Sequence, residues 1–93
     1  MEFSWDSRKS DANLALRGFD FAFATLIFDG PTLERADARE DYGEARIIAI
    51  GLAQGIPLTV VYTDRTAGGR RIVSARRSNR RERESYERVL QVR

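Results

Sequence analysis

The sequence predicts an α+β domain in which two N-terminal helices pack on a mainly antiparallel sheet of about four to five strands and a C-terminal helix follows the last strand. Three observations lead there. Two capped, helix-like segments lie before the breaker Asp29-Gly30-Pro31, three β-rich runs follow Glu44 with glycine-bearing connectors between them, and a charged segment opening at Asn79 has helical spacing.

The chain opens with Phe3 and Trp5 alternating with Glu2, Ser4 and Asp6, the pattern of a short strand with one buried face. Asp6 then stands where a helix N-cap belongs, and SRKSDANLALR runs to Gly18, which suits the left-handed turn after a helix C-terminus. This first helix is expected to bury Ala12, Ala15 and Leu16 and to expose Arg8, Lys9 and Asp11, with a placement centred on Leu14 as the alternative. Asp20 caps a second helix, FAFATLIF, whose phenylalanines are expected to serve core packing. Residues 32–43 are polar and acidic. They predict a weak edge strand over 33–38 and a mobile, solvated loop beyond, since the spacing of Glu34, Asp37, Glu40 and Asp41 matches no recognised metal-binding loop.

The runs ARIIAIGL, PLTVVYT and RRIVSARR, linked by AQGI and DRTAGG, predict an antiparallel meander. In the last run, strict alternation puts Ile72, Ser74 and Arg76 on one face and Arg71, Val73, Ala75 and Arg77 on the other. Asn79 and Glu82 have capping-box spacing at the start of the final helix, where Glu84 and Arg88 form an i,i+4 pair and Tyr86, Val89 and Leu90 make an apolar stripe. The tail after Leu90 is expected to fray.

Ninety-three residues predict a single domain over 1–93, and an apolar run of the ~18 residues that span a membrane is absent. Met1 is followed by Glu2 and polar residues rather than a basic start and an apolar run, so a cytoplasmic protein is expected. With no cysteine and no histidine, thiolate and imidazole chemistry are excluded, and neither cofactor nor metal is expected. The net charge of +2 conceals an asymmetry. Residues 1–64 hold 6 basic and 11 acidic groups, whereas residues 65–93 hold 10 basic and 3 acidic. Arginine outnumbers lysine fifteen to one, and its planar fork suits phosphate.

RNA carries its own nucleophile, the 2′-hydroxyl, so arginines that position and neutralise a phosphate, with modest proton transfer, suffice to cleave it. Arg76 and Arg77 point to opposite sides of their strand, one free to face a groove and the other to pair with a carboxylate. Arg80 and Arg81 lie on the first turn of the last helix, and a meander is expected to gather some of these cations and Arg46 at one end of the sheet. Glu44 and Tyr62 are the candidate proton handlers. The competing readings make Tyr62 a packing residue and Glu44 the ion-pair partner of Arg46 or Arg76.

The opening FSWDSRKSDANLALRGFDFAFATLIFD, the central YGEARIIAIG and the close LTVVYTDRTAGGRRIVSARRSNRRERESYE resemble the BrnT family of bacterial toxins across nearly the whole chain. The resemblance implies a RelE-like fold, RNA cleavage, inhibition by a BrnA-like ribbon-helix-helix antitoxin, and contact with operator DNA only through the antitoxin complex. Matching positions are Glu44, Arg46, Ser74, Arg76, Arg77, Glu82 and Tyr86. Where family members have a lysine and a histidine before the glycine, this chain has Leu16 and Arg17. The resulting expectation is a metal-independent ribonuclease with Arg46, Arg76 and Glu44 at the catalytic centre and Arg17, Arg77, Arg80 and Arg81 on the RNA. The rivals are a catalytically weak toxin homologue that binds antitoxin and a general nucleic-acid binder.

Overall fold

A computed structural model describes residues 1–39, 41–65 and 68–90. Five strands, β1 (Phe3–Ser4), β2 (Leu33–Ala36), β3 (Ile47–Ala53), β4 (Ile56–Asp64) and β5 (Arg70–Arg77), form one sheet in the order β1-β5-β4-β3-β2. The predicted meander is present as β3-β4-β5. β1 runs parallel to β5, so the sheet is mixed. The helices are α1 (Ser7–Arg17), α2 (Phe21–Ala24), which tightens into a 3-10 turn (Thr25–Asp29), and α3 (Arg80–Leu90). Among the described residues no helix is long and apolar enough to cross a membrane.

Local chemistry accounts for the connections. Ala53 pairs with Ile56 across a two-residue loop in which Gln54 and Gly55 both have positive φ, 50° and 82°, the combination whose twist matches a hairpin. Asp6 accepts from the Arg8 N–H at 2.9 Å, Asp20 accepts from the Phe23 N–H at 2.9 Å, and Gly18 closes α1 at φ 85°. Asn79 and Glu82 form the expected capping box, each side chain accepting from the other's N–H at 2.9 Å.

One face of the sheet carries the main core. Phe21, Ala24 and Ile27 pack there against Ala49, Leu58, Val60, Tyr62, Ile72 and Ala75. Gly51 marks the closest approach, since a Cβ at that position would lie 2.9 Å from Ile27 Cβ. On the other face α3 covers β3 and β2, with Tyr86 buried and its hydroxyl donating to the Pro31 carbonyl at 3.0 Å.

Four sequence-based expectations fail. α1 exposes Ala12, Ala15 and Leu16 and buries Ser10 and Asn13 instead, with Leu16 81% and Leu14 50% exposed. Burial goes to the side chains that satisfy backbone groups of the turn into α2: Ser10 Oγ accepts from the Phe21 N–H and Asn13 Nδ2 donates to the Phe19 carbonyl, both at 3.0 Å. Strict alternation in β5 breaks because Val61 faces Ser74 while Tyr62 faces Ile72, leaving Val73 as a bulge. Ile72 and Ala75 therefore share the core face.

On α3, Glu84 pairs back with Arg80 at 3.0 Å rather than with Arg88, and Val89 is 57% exposed, which removes it from the apolar stripe. The acidic loop is folded rather than solvated at Asp37. That carboxylate is buried and bidentate to Arg39 at 2.8 and 2.7 Å, and it accepts from the Tyr42 hydroxyl at 3.3 Å. Arg39 beside it holds the Asp37 carboxyl well below the usual carboxylate range. Glu40 and the tail after Leu90 lie outside the described residues.

Candidate functional site

β1 pairs only with Arg70 and Arg71, so β5 continues beyond it with no β1 partner. Along this stretch α1 and the sheet enclose a groove of about 370 Å³, lined by Lys9, Ala12, Asn13, Leu16 and Arg17 of α1, by Phe21, by Arg46, and by Val73 and Ser74 of β5. Among the described residues the lining holds three cations and no carboxylate.

Its two arginines are oriented differently. Arg17 Nη1 donates to Asn13 Oδ1 at 2.9 Å. Arg46 lies over the Tyr42 ring with its guanidinium carbon 3.9 Å from the centroid, close enough for a cation–π contact. Arg46 Nε approaches Glu44 at 3.3 Å, and the Arg46 carbonyl accepts from the Asp37 N–H at 2.8 Å. Glu44 also meets Arg65 at 3.8 Å, so it is an ion-pair partner beside the groove, which is one of the two roles the sequence leaves open for it.

The remaining candidates lie elsewhere. Arg76 donates bidentately to Glu82 at 2.8 Å on both oxygens, and Glu82 also accepts from Thr59 Oγ1 at 3.0 Å and from the Asn79 N–H. Arg76, followed by the Asn79 and Thr59 donors, holds the Glu82 carboxyl down to about 2 despite its partial burial. Ile47, beside Arg46, is level with Tyr62, whereas Arg76 is level with Thr59. The two arginines are thus offset by about four residues, ~13 Å along the strands.

Arg77 faces the other side of the sheet, at a pocket of about 280 Å³ lined by Leu14, Gly18, Phe19, Asp20, Phe23 and Ile56. Arg81 lines a groove between β2 and α3 with Leu33, Arg35, Ile48 and Ile50. Arg80 is engaged by Glu84 on the surface. Tyr62 is 2% exposed and its hydroxyl donates to Glu34 at 2.7 Å; burial first, and then that carboxylate, push its pKa well above the ordinary phenol value.

Of the sequence-predicted residues, the groove therefore brings together Arg17, Arg46 and Ser74, with Glu44 beside Arg46. Sequence reasoning missed Asn13, Tyr42 and the groove role of Lys9. Two signals were available in α1: Asn13 and Arg17 are four residues apart, and Lys9 lies two turns before Arg17 on the same side of the helix. Nothing in the polar loop pointed to Tyr42.

A small α+β domain with an arginine-lined groove beside an unpaired sheet edge belongs to the class of proteins equipped to hold an anion. The family is more specific. Residues 5–82 match the family described as ribonuclease toxin, BrnT, of type II toxin–antitoxin systems, and the chain belongs to that family. Its fold is similar to the 1.1 Å crystal structure of the Brucella abortus ribonuclease toxin BrnT, with a TM-score of 0.63 and 24% sequence identity over 86% of this chain and 99% of that one. A search of curated proteins finds no match.

Proposed function

We propose that this chain is an endoribonuclease that cuts RNA without a metal ion, inhibits translation in the cytoplasm, and is neutralised by a BrnA-like ribbon-helix-helix antitoxin through which alone it meets operator DNA. The RelE-like ancestry implied by the sequence belongs to the same reading. The observation that carries it is the groove in which Lys9, Arg17 and Arg46 converge beside Ser74.

In this mechanism the RNA phosphate sits between Arg17 and Arg46. The 2′-oxygen attacks phosphorus and the 5′-oxygen leaves, giving a 2′,3′-cyclic phosphate and a 5′-hydroxyl. The arginines stabilise the charge that builds on the non-bridging oxygens. Glu44 takes the 2′-hydroxyl proton, and water protonates the leaving oxygen because the chain offers no histidine. Arg76, whose side chain is 43% exposed despite Glu82, and Arg77, Arg80 and Arg81 lie outside the groove and would meet only RNA that runs on over the surface.

The test is RNA cleavage in EDTA by wild type and by Arg46→Ala, Arg17→Ala and Arg76→Ala. Loss of one preorganised donor is expected to lower kcat by roughly 10²-fold for Arg46→Ala. Equal rates would remove that arginine from the mechanism, and no cleavage by wild type would remove the enzyme.

A second reading, an antitoxin-binding or nucleic-acid-binding module with weak or no catalysis, is favoured by one observation. Where the resemblance to the family implies a histidine this chain has Arg17, and a guanidinium cannot shuttle a proton near neutral pH. RNA that is bound but left intact would establish it.

A further inference from the structure

We propose that Asn13 is a positioning residue that aims the Arg17 guanidinium into the groove shared with Arg46 and Ser74 without neutralising it. The nature of the anion rests on the RNA reading above; the hold of Asn13 on Arg17 rests on geometry alone.

Asn13 is buried, and both ends of its amide are engaged. Nδ2 donates to the Phe19 carbonyl at 3.0 Å and Oδ1 accepts from Arg17 Nη1 at 2.9 Å. The reverse orientation would set one N–H group against another and the amide oxygen against a carbonyl, so the network fixes the assignment. The Phe19 carbonyl is itself a firm anchor. It follows Gly18, whose left-handed turn is closed by its N–H donating to the Leu14 carbonyl at 3.0 Å. Arg17 is thereby tied through one buried amide to the end of its own helix.

The neutrality of that partner is the informative feature. Arg83 and Arg88 likewise donate only to neutral oxygens, but of the two groove arginines Arg46 meets Glu44, whereas among the described residues no carboxylate pairs with Arg17. An exposed arginine in a last helical turn ordinarily samples many rotamers. A carboxylate at position 13 would order it but cancel its charge, whereas an amide orders it and leaves the charge available to an incoming phosphate.

Three substitutions separate these effects: Asn13→Ala, Asn13→Asp and Arg17→Ala. The readouts are ¹⁵N relaxation of the Arg17 side-chain Nε–H and the affinity for a single-stranded RNA oligonucleotide. Asn13→Ala is expected to mobilise the guanidinium and weaken binding about fivefold, with no further loss when Arg17 is already alanine, the coupling expected of residues acting as one unit. Asn13→Asp pairs with the guanidinium and is expected to keep it ordered yet still weaken binding. Because it too loses the bond to the Phe19 carbonyl, thermal denaturation of each variant beside the Arg17→Ala background separates a fold defect from a lost hold.

An Arg17 side chain equally ordered in Asn13→Ala would overturn the proposal. So would an equal loss of affinity in the Arg17→Ala background, since Asn13 would then act only on the fold. RNA binding unchanged by Arg17→Ala would defeat the claim that the held charge grips RNA, while the relaxation data would still judge the hold itself. A wild type that binds RNA without cutting it would defeat only the ribonuclease reading.

Discussion

The Arg76 guanidinium meets both oxygens of Glu82, and the same carboxylate caps α3 and reaches Thr59 on β4. One side chain thus ties β5, β4 and the helix start together, and its ionised form is the one that does so. Because the folded-state pKa is depressed to about 2, against ~4.3 for an unperturbed glutamate, this stabilisation is present above the unfolded value and is lost as pH falls through the folded one. Wild type is therefore expected to lose resistance to urea between about pH 4.5 and pH 2. Glu82→Gln should be less stable at pH 7 and should fall less over the same interval. Circular dichroism in urea at pH 7 and at the acid end decides it: parallel losses in the two proteins would show that Glu82 does not drive the acid sensitivity. Arg76 is an anchored arginine, Arg17 an aimed one, and the charge of the partner separates them. That difference was not legible in a run of arginines, because identity and spacing do not say which carboxylate the fold brings near.

At the scale of elements, sequence reasoning succeeded where the cause is local and failed where it lies across the molecule. The caps at Asp6, Asp20 and Asn79, the Gly18 stop and the β3–β4 hairpin each depend on a few neighbouring residues, and all are present. The buried side of α1 depends instead on the turn into α2, whose backbone needs Ser10 and Asn13 as partners. The Val73 bulge depends on registry with β4, and the order of the acidic loop depends in part on the Asp37 N–H reaching the Arg46 carbonyl. Two substitutions test this packing. Gly51→Ala puts a methyl group 2.9 Å from Ile27 Cβ, so overpacking is expected to cost about 1–3 kcal/mol. Leu16→Gln, on an 81% exposed side chain, is expected to stay within ~0.5 kcal/mol of wild type. Thermal or urea denaturation measures both, and a large loss at Leu16 would mean that α1 buries its apolar side in solution after all.

For the whole molecule, the charge asymmetry of the sequence and the charge of the groove do not coincide. The cationic last third supplies Ser74 and Val73 to the lining, but Lys9, Arg17 and Arg46 all come from residues 1–64, the net acidic part. Folding sets three cations of an acidic segment against a strand from the basic one, and sends Arg76, Arg77, Arg80 and Arg81 to Glu82, to the pocket near Ile56, to Glu84 and to the β2–α3 groove. The salt dependence of RNA binding tells a local grip from a broad one. Each phosphate contact to a single strand contributes about −0.7 to the slope of log affinity against log salt, so contact through the groove alone predicts a slope near −2. Engagement of the four C-terminal arginines as well predicts roughly −5. Anisotropy of a labelled single-stranded RNA in EDTA, titrated across salt, measures the slope. Arg17→Ala should make it shallower by ~0.7, whereas Arg80→Ala should leave it unchanged if the groove carries the contact. A slope near −5 that Arg80→Ala reduces and Arg17→Ala does not would move the RNA from the groove to the surface around α3.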